Sequence, residues 1–129
     1  MNSFSQVLLI DDNPVQLKIR EAVLRNAGFH VCVATTADSA MAMLHTLKDR
    51  IGVVVTDHVM PVVSGSDFVR RLRGERNWVP VIVLSGMAEA FTEYEGLEVV
   101  FRAKPLPPLE LIELVHRSFS EPADHLGAA

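Results

Sequence analysis

At 129 residues the chain has the length of one domain, enough to bury about two-thirds of the surface its unfolded form exposes without a staple. Hydrophobic residues at 49% and charged residues at 22% are ordinary for a soluble globular protein, and a single cysteine excludes an internal disulfide. A formal net charge of −4 argues against nonspecific attachment to nucleic acid or an anionic membrane.

The first apolar run, Val7–Ile10, reads as a strand. The opening MNSFSQVLLIDD has no basic n-region and breaks at two aspartates, so it does not read as a signal peptide. Asn13 as cap and Pro14 at the first helical position start a helix with Val15, Ile19, Ala22 and Val23 as its apolar stripe, stopping at Gly28. Phe29–Val33 is the second strand, and Cys32 within it reads as a small buried hydrophobe. Thr36 caps a second helix whose inward positions are Ala40, Met43, Leu44 and Leu47; Met41 and Met43 are core filling. Val53–Thr56 is the third strand. A third helix from about Ser66 to Gly74 turns Phe68, Val69 and Leu72 inward, with Arg70, Arg71, Arg73 and Arg76 expected on a solvated face. Val81–Leu84 is the fourth strand. Met87–Glu95, followed by Gly96, holds only a short helix with a loose apolar stripe. Glu98–Phe101 is the fifth strand, and the last helix opens at Pro107-Pro108 and buries Leu111, Leu114, Val115 and Phe119. Periodicity fades from Ser120, so the expected division is a domain over 1–120 and a disordered tail over 121–129. No stretch approaches the ~20 apolar residues of a membrane span, and the expected location is cytoplasmic.

Strands alternating with helices across short connections imply a parallel sheet covered on both faces, built from right-handed crossovers. Such sheets bind ligands beyond the carboxyl ends of their strands. Those ends are Asp11-Asp12, Asp57 and Ser85, and the fifth strand leads to Lys104-Pro105. Clustered carboxylates either take up a proton or bind a cation, and hard oxygen donors with open positions suit magnesium. One aspartate then serves as nucleophile towards a phosphoryl group, with Lys104 and the Ser85 hydroxyl stabilising its oxygens.

The runs VLLIDDNP, VVVTDHVMPVVSG, VIVLSG and FRAKPL resemble the signature blocks of response-regulator receiver domains of two-component systems, in the family's order and over residues 6–119. The resemblance implies a flavodoxin-like (βα)5 doubly wound fold with strand order 2-1-3-4-5, in which the fourth helix is short or irregular here. It implies that Asp57 is the phosphoacceptor and that Asp11, Asp12, Asp57 and the backbone carbonyl of Val59 hold Mg2+ (or Mn2+). Ser85 matches the switch hydroxyl, Lys104 the phosphoryl-contacting lysine with a cis bond to Pro105, and Phe101 the switch aromatic. Met60-Pro61 and Gly65 match the loop after the acceptor. The implied partners are a histidine kinase or histidine phosphotransfer protein and a downstream protein target, with no direct nucleic-acid contact, no membrane, and a monomer or weak homodimer. The chain is not expected to be an enzyme beyond its own phosphoryl transfer and dephosphorylation. The stretch between Ser85 and Lys104 is a few residues shorter than the family pattern, which puts the usual output surface in doubt.

Three other readings compete. A haloacid-dehalogenase-like phosphotransferase would carry its nucleophile in an Asp-x-Asp pattern after the first strand, which Asp11-Asp12-Asn13 does not match. A flavodoxin needs a phosphate-cradling loop where this chain has two aspartates. A receiver-like interaction module that does without phosphorylation would usually have lost one of Asp11, Asp12, Asp57, Ser85 or Lys104. His58 is expected to be an exposed loop residue, and His30, His45, His116 and His125 show no metal-ligand spacing. The one-domain length leads to the expectation of a stand-alone form, with a relay shuttle or a piece of a larger kinase or regulator as alternatives.

Overall fold

The computed structural model describes residues 5–120; the expected tail at 121–129 lies outside them. Its elements are β1 (Gln6–Ile10), α1 (Pro14–Asn26), β2 (His30–Ala34), α2 (Ala37–Leu47), a 3₁₀ turn (Lys48–Arg50), β3 (Ile51–Asp57), α3 (Gly65–Gly74), β4 (Val81–Ser85), a 3₁₀ segment (Ala88–Tyr94), β5 (Val99–Ala103) and α4 (Pro108–Ser120). The five strands are parallel in the order β2-β1-β3-β4-β5, as the resemblance implies. The short fourth helical region is also as expected. Met87–Glu95 lacks the apolar stripe for a longer helix, and it winds as 3₁₀ with only Ala90 and Tyr94 buried.

Alternation in the strands divides the core. Leu8, Ile10, Val54 and Val83 pack against Ala40, Met41 and Leu44 of α2, Phe68 and Leu72 of α3, and Tyr94. Val7, Leu9, Val55, Ile82 and Leu84 pack on the other face against Leu17 and Leu24 of α1 and Leu111, Leu114 and Val115 of α4. Each such side chain withdrawn from water stabilises the fold by about 1.5–3 kcal/mol. Phe119 stacks on Phe29 with ring centroids 5.8 Å apart, and the half-buried Cys32 packs against the first cluster. Burial pushes its thiol upward, the direction of an unreactive cysteine. Among the described residues, no helix is long and apolar enough to cross a membrane.

Two expectations about helix faces are corrected. Val15 and Ile19 are 66% and 58% exposed, whereas Leu17 and Leu24 face the core. Both pairs fit a helical period, but they lie on nearly opposite sides of α1, so periodicity does not choose between them. The face that turns inward also carries Arg20, the counter-charge for a buried carboxylate. Arg73, expected in solvent, is only 7% exposed. Its Nε donates to Leu97 O, Nη1 to Asn77 O and Val79 O, and Nη2 to Glu98 O, at 2.7–3.0 Å, and the guanidinium lies 5.1 Å from the Trp78 ring centroid. Burial pushes it down to about 10, against the opposing pull of Glu98, so it is cationic at neutral pH. β5 starts at Val99, one residue later than expected, because Glu98 is in the left-handed region with φ 59°.

Candidate functional site

The pairing register sets the strand ends level. Ile10 sits opposite Ala34 and Thr56, Asp57 opposite Leu84, and Ser85 opposite Ala103. Residues just past β1 and at the end of β3 therefore share one edge of the sheet. Asp11, Asp12 and Asp57 each bring a carboxylate oxygen to within 4.8 Å of the other two. Asp11 and Asp57 are buried and Asp12 is exposed, so the group opens outward on one side. Asp11 is oriented by its own turn: its Oδ1 accepts from Asn13 N at 2.9 Å, and its N–H donates to Ala34 O at 3.2 Å. Asn13 in turn caps α1 by accepting from the N–H groups of Val15 and Gln16.

Lys104 Nζ lies 2.7 Å from Asp57 Oδ1. The cis bond to Pro105 expected from the resemblance is present, and Lys104 N–H donates to Ser85 O at 2.8 Å, tying the end of β4 to the lysine. Ser85 is buried at the same edge, but its hydroxyl is turned to the following loop. It donates to Met87 O at 3.1 Å and accepts from Met87 N at 2.9 Å. The Val59 side chain, two residues past Asp57, is exposed. Phe101 is half-buried against Tyr94 and Phe91, with ring centroids 5.7 and 6.1 Å away.

The reading of His58 as an exposed loop residue is overturned: it is 6% exposed. Its Nδ1 lies 2.8 Å from Tyr94 Oη and its Nε2 3.6 Å from Glu93 Oε2. Burial raises the Tyr94 hydroxyl, which stays protonated. One tautomer serves both contacts, with Tyr94 Oη donating to Nδ1 and Nε2–H facing the Glu93 carboxylate. The residue after Asp57 is thus hydrogen-bonded to the 3₁₀ segment. Gly65 makes the close approach possible: a Cβ there would lie 2.5 Å from Tyr94 Oη and 2.7 Å from Asp57 O.

Arg20 is the site residue that sequence reasoning missed. Its Nη1 donates to Asp11 Oδ2 at 2.7 Å and reaches Asp57 Oδ1 at 3.4 Å. The available signal was its spacing from Leu17 and Leu24, which puts a cation on an inward helical stripe.

All donors in the group are hard oxygens, and the state of Asp11 shows the demand for positive charge. Burial, with the hydrogen bond and charge of Asp57, pushes its carboxyl up to about 6, more than Asn13 N–H and Arg20 pull it down. The residues present fit a divalent cation. The sign of the pH effect follows from the ordinary value of 3.8 for the unfolded chain. Between about pH 4 and 6 the folded protein keeps a proton that the unfolded chain has released, so stability falls as pH rises through that window. In urea unfolding with EDTA, wild type is expected to lose roughly 1–2 kcal/mol relative to Asp11→Asn between pH 4 and 7. Magnesium is expected to recover that loss at pH 7.

Comparison with known proteins agrees with the geometry. The profile of the response regulator receiver domain family matches residues 7–116. The transcriptional regulatory protein PrrA of Mycobacterium tuberculosis is 38% identical over 112 residues, 87% of this chain and 47% of that protein. The chain spans about half the length of the first such relatives it matches. A response regulator receiver protein from Pseudomonas putida has a crystal structure that superposes with a TM-score of 0.82 at 32% identity, covering 91% of this chain and 99% of that one. The chemotaxis response regulator CheY4 of Vibrio cholerae gives 0.77 at 26% identity, covering 89% and 98%.

Proposed function

Because this chain belongs to the response regulator receiver domain family of two-component systems, we propose that Asp57 accepts a phosphoryl group from a histidine kinase or histidine phosphotransfer protein. Receiver domains are signalling modules rather than classical enzymes; they bind Mg2+ in an acidic pocket and interact with histidine kinases and downstream effectors. The observation that carries the reading here is the meeting of Asp11, Asp12 and Asp57 at one sheet edge with Lys104 already on Asp57.

In the proposed transfer, an Asp57 carboxylate oxygen forms the new bond to phosphorus while the bond from phosphorus to the donor imidazole nitrogen breaks. The imidazole keeps that electron pair and the product is an acyl phosphate. Asp11, Asp12, Asp57 and the Val59 carbonyl would hold Mg2+ (or Mn2+), which supplies charge to the phosphoryl oxygens when bound. Lys104 neutralises a further oxygen. Ser85 takes part only by redirecting its hydroxyl proton away from Met87 O, which frees that carbonyl and lets the loop after β4 move. That movement relays modification to the 3₁₀ segment and to Phe101 on β5, a packing event set off by local charge. The exposed apolar face of α1, Val15 and Ile19, is the surface on which we place the phosphodonor.

The test is incubation with acetyl phosphate and with a panel of autophosphorylated histidine kinases in magnesium, read by intact mass and retained label. Uptake of one phosphoryl group supports the reading. No uptake from any donor would favour a phosphorylation-independent interaction module.

A further inference from the structure

We infer that Arg20 is a resident competitor for the divalent cation, holding the space between Asp11 and Asp57 until the metal displaces it. The inference rests on the reading of that pocket as a magnesium site. Nη1 of Arg20 is within hydrogen-bond reach of one oxygen on each of two carboxylates, Asp11 Oδ2 at 2.7 Å and Asp57 Oδ1 at 3.4 Å. Magnesium holds such oxygens at about 2.0–2.1 Å. A divalent ion held by the carboxylates of these residues and a guanidinium on the same two would be neighbouring cations among buried groups, where screening by water is weak.

Lys104 reaches Asp57 Oδ1 and, at 3.5 Å, Gln16 Oε1, but it has no contact with Asp11, so Arg20 alone spans the two buried carboxylates. With both cations in place, the three carboxylates are left with one net negative charge; without Arg20 they have two. The guanidinium also has somewhere to go. Its Nη2 lies 3.5 Å from Gln16 Oε1, an exposed side chain one turn nearer the start of α1 whose oxygen Lys104 Nζ meets at the same distance, so the guanidinium can swing outward into solvent past it. Arg20 therefore keeps Asp11 paired when the metal is scarce and weakens metal binding when it is plentiful. Phosphoryl uptake then responds to magnesium concentration over a higher range than the three carboxylates alone would set.

Calorimetric titration of Mg2+ into wild type, Arg20→Gln and Arg20→Met at fixed ionic strength tests this directly, with urea unfolding in EDTA confirming that each variant is folded. Both neutral variants are expected to bind Mg2+ roughly three- to tenfold more tightly than wild type. Equal or weaker binding would overturn the inference while leaving the magnesium site itself intact. Absence of Mg2+ binding in all three proteins would overturn the site along with it. Wild type offers a second readout should the variants fail to fold. The Arg20 guanidinium NMR resonance is expected to shift with the same half-point as the Asp57 amide, and an arginine signal that stays still through the titration would overturn the proposal.

Discussion

Asp57→Asn is expected to abolish phosphoryl uptake from both acetyl phosphate and a cognate kinase while leaving the fold intact. The carboxamide is nearly isosteric with the carboxylate but is a poor nucleophile and a weaker metal donor. Two opposing electrostatic changes keep the stability effect small. The variant loses the ion pair with Lys104 at 2.7 Å, and it also removes the carboxylate that pushes Asp11 upward. The net change in unfolding free energy is expected to stay within about 1 kcal/mol. Loss of label in a folded variant thus identifies the acceptor rather than a collapsed site. Label retained undiminished would place the modification elsewhere.

The largest stability effect is expected at Arg73. Its guanidinium serves four backbone carbonyls, two before β4 and two before β5, in a region where the chain forms only a short 3₁₀ segment. One of those carbonyls belongs to Glu98, whose left-handed backbone persists because its surroundings hold it there. Arg73→Met removes every one of those bonds while keeping an apolar stem, so the carbonyls lose charged partners at once. Urea unfolding is expected to show a loss of about 3–4 kcal/mol, a large fraction of the stability of a domain this size. Arg73→Lys is expected to recover only a minor part, because one ammonium does not span the carbonyls that a planar fork reaches. A change under about 1 kcal/mol for Arg73→Met would show that the segment before β5 is held by other contacts.

The parts of the fold legible in sequence were those written as local patterns. Uninterrupted β-branched runs gave strands covered on both faces, and acidic or hydroxyl residues at their ends marked the edge where Asp11, Asp12, Asp57 and Ser85 collect. The illegible parts share one cause. Arg20, His58 and Arg73 are polar residues whose burial depends on partners from other elements: Asp11 and Asp57, Tyr94 and Glu93, and the carbonyls of residues 97 and 98. Polarity alone assigned His58 and Arg73 to solvent and passed over Arg20. The α1 face was misassigned for a related reason: a period accepts either of two stripes, and the inward one, with Leu17 and Leu24, is also the one that carries Arg20 to its carboxylate partners on other elements.

Carboxylates just past β1 and at the end of β3 are proposed to bind jointly the cation that phosphoryl uptake requires. The most direct test of this is the initial rate of uptake across a magnesium series with EDTA as the zero point, for wild type and Asp12→Asn. Expected are no uptake in EDTA, saturation with magnesium in wild type, and a half-saturation point at least about tenfold higher in Asp12→Asn. A wild-type rate in EDTA equal to that in magnesium would contradict that requirement.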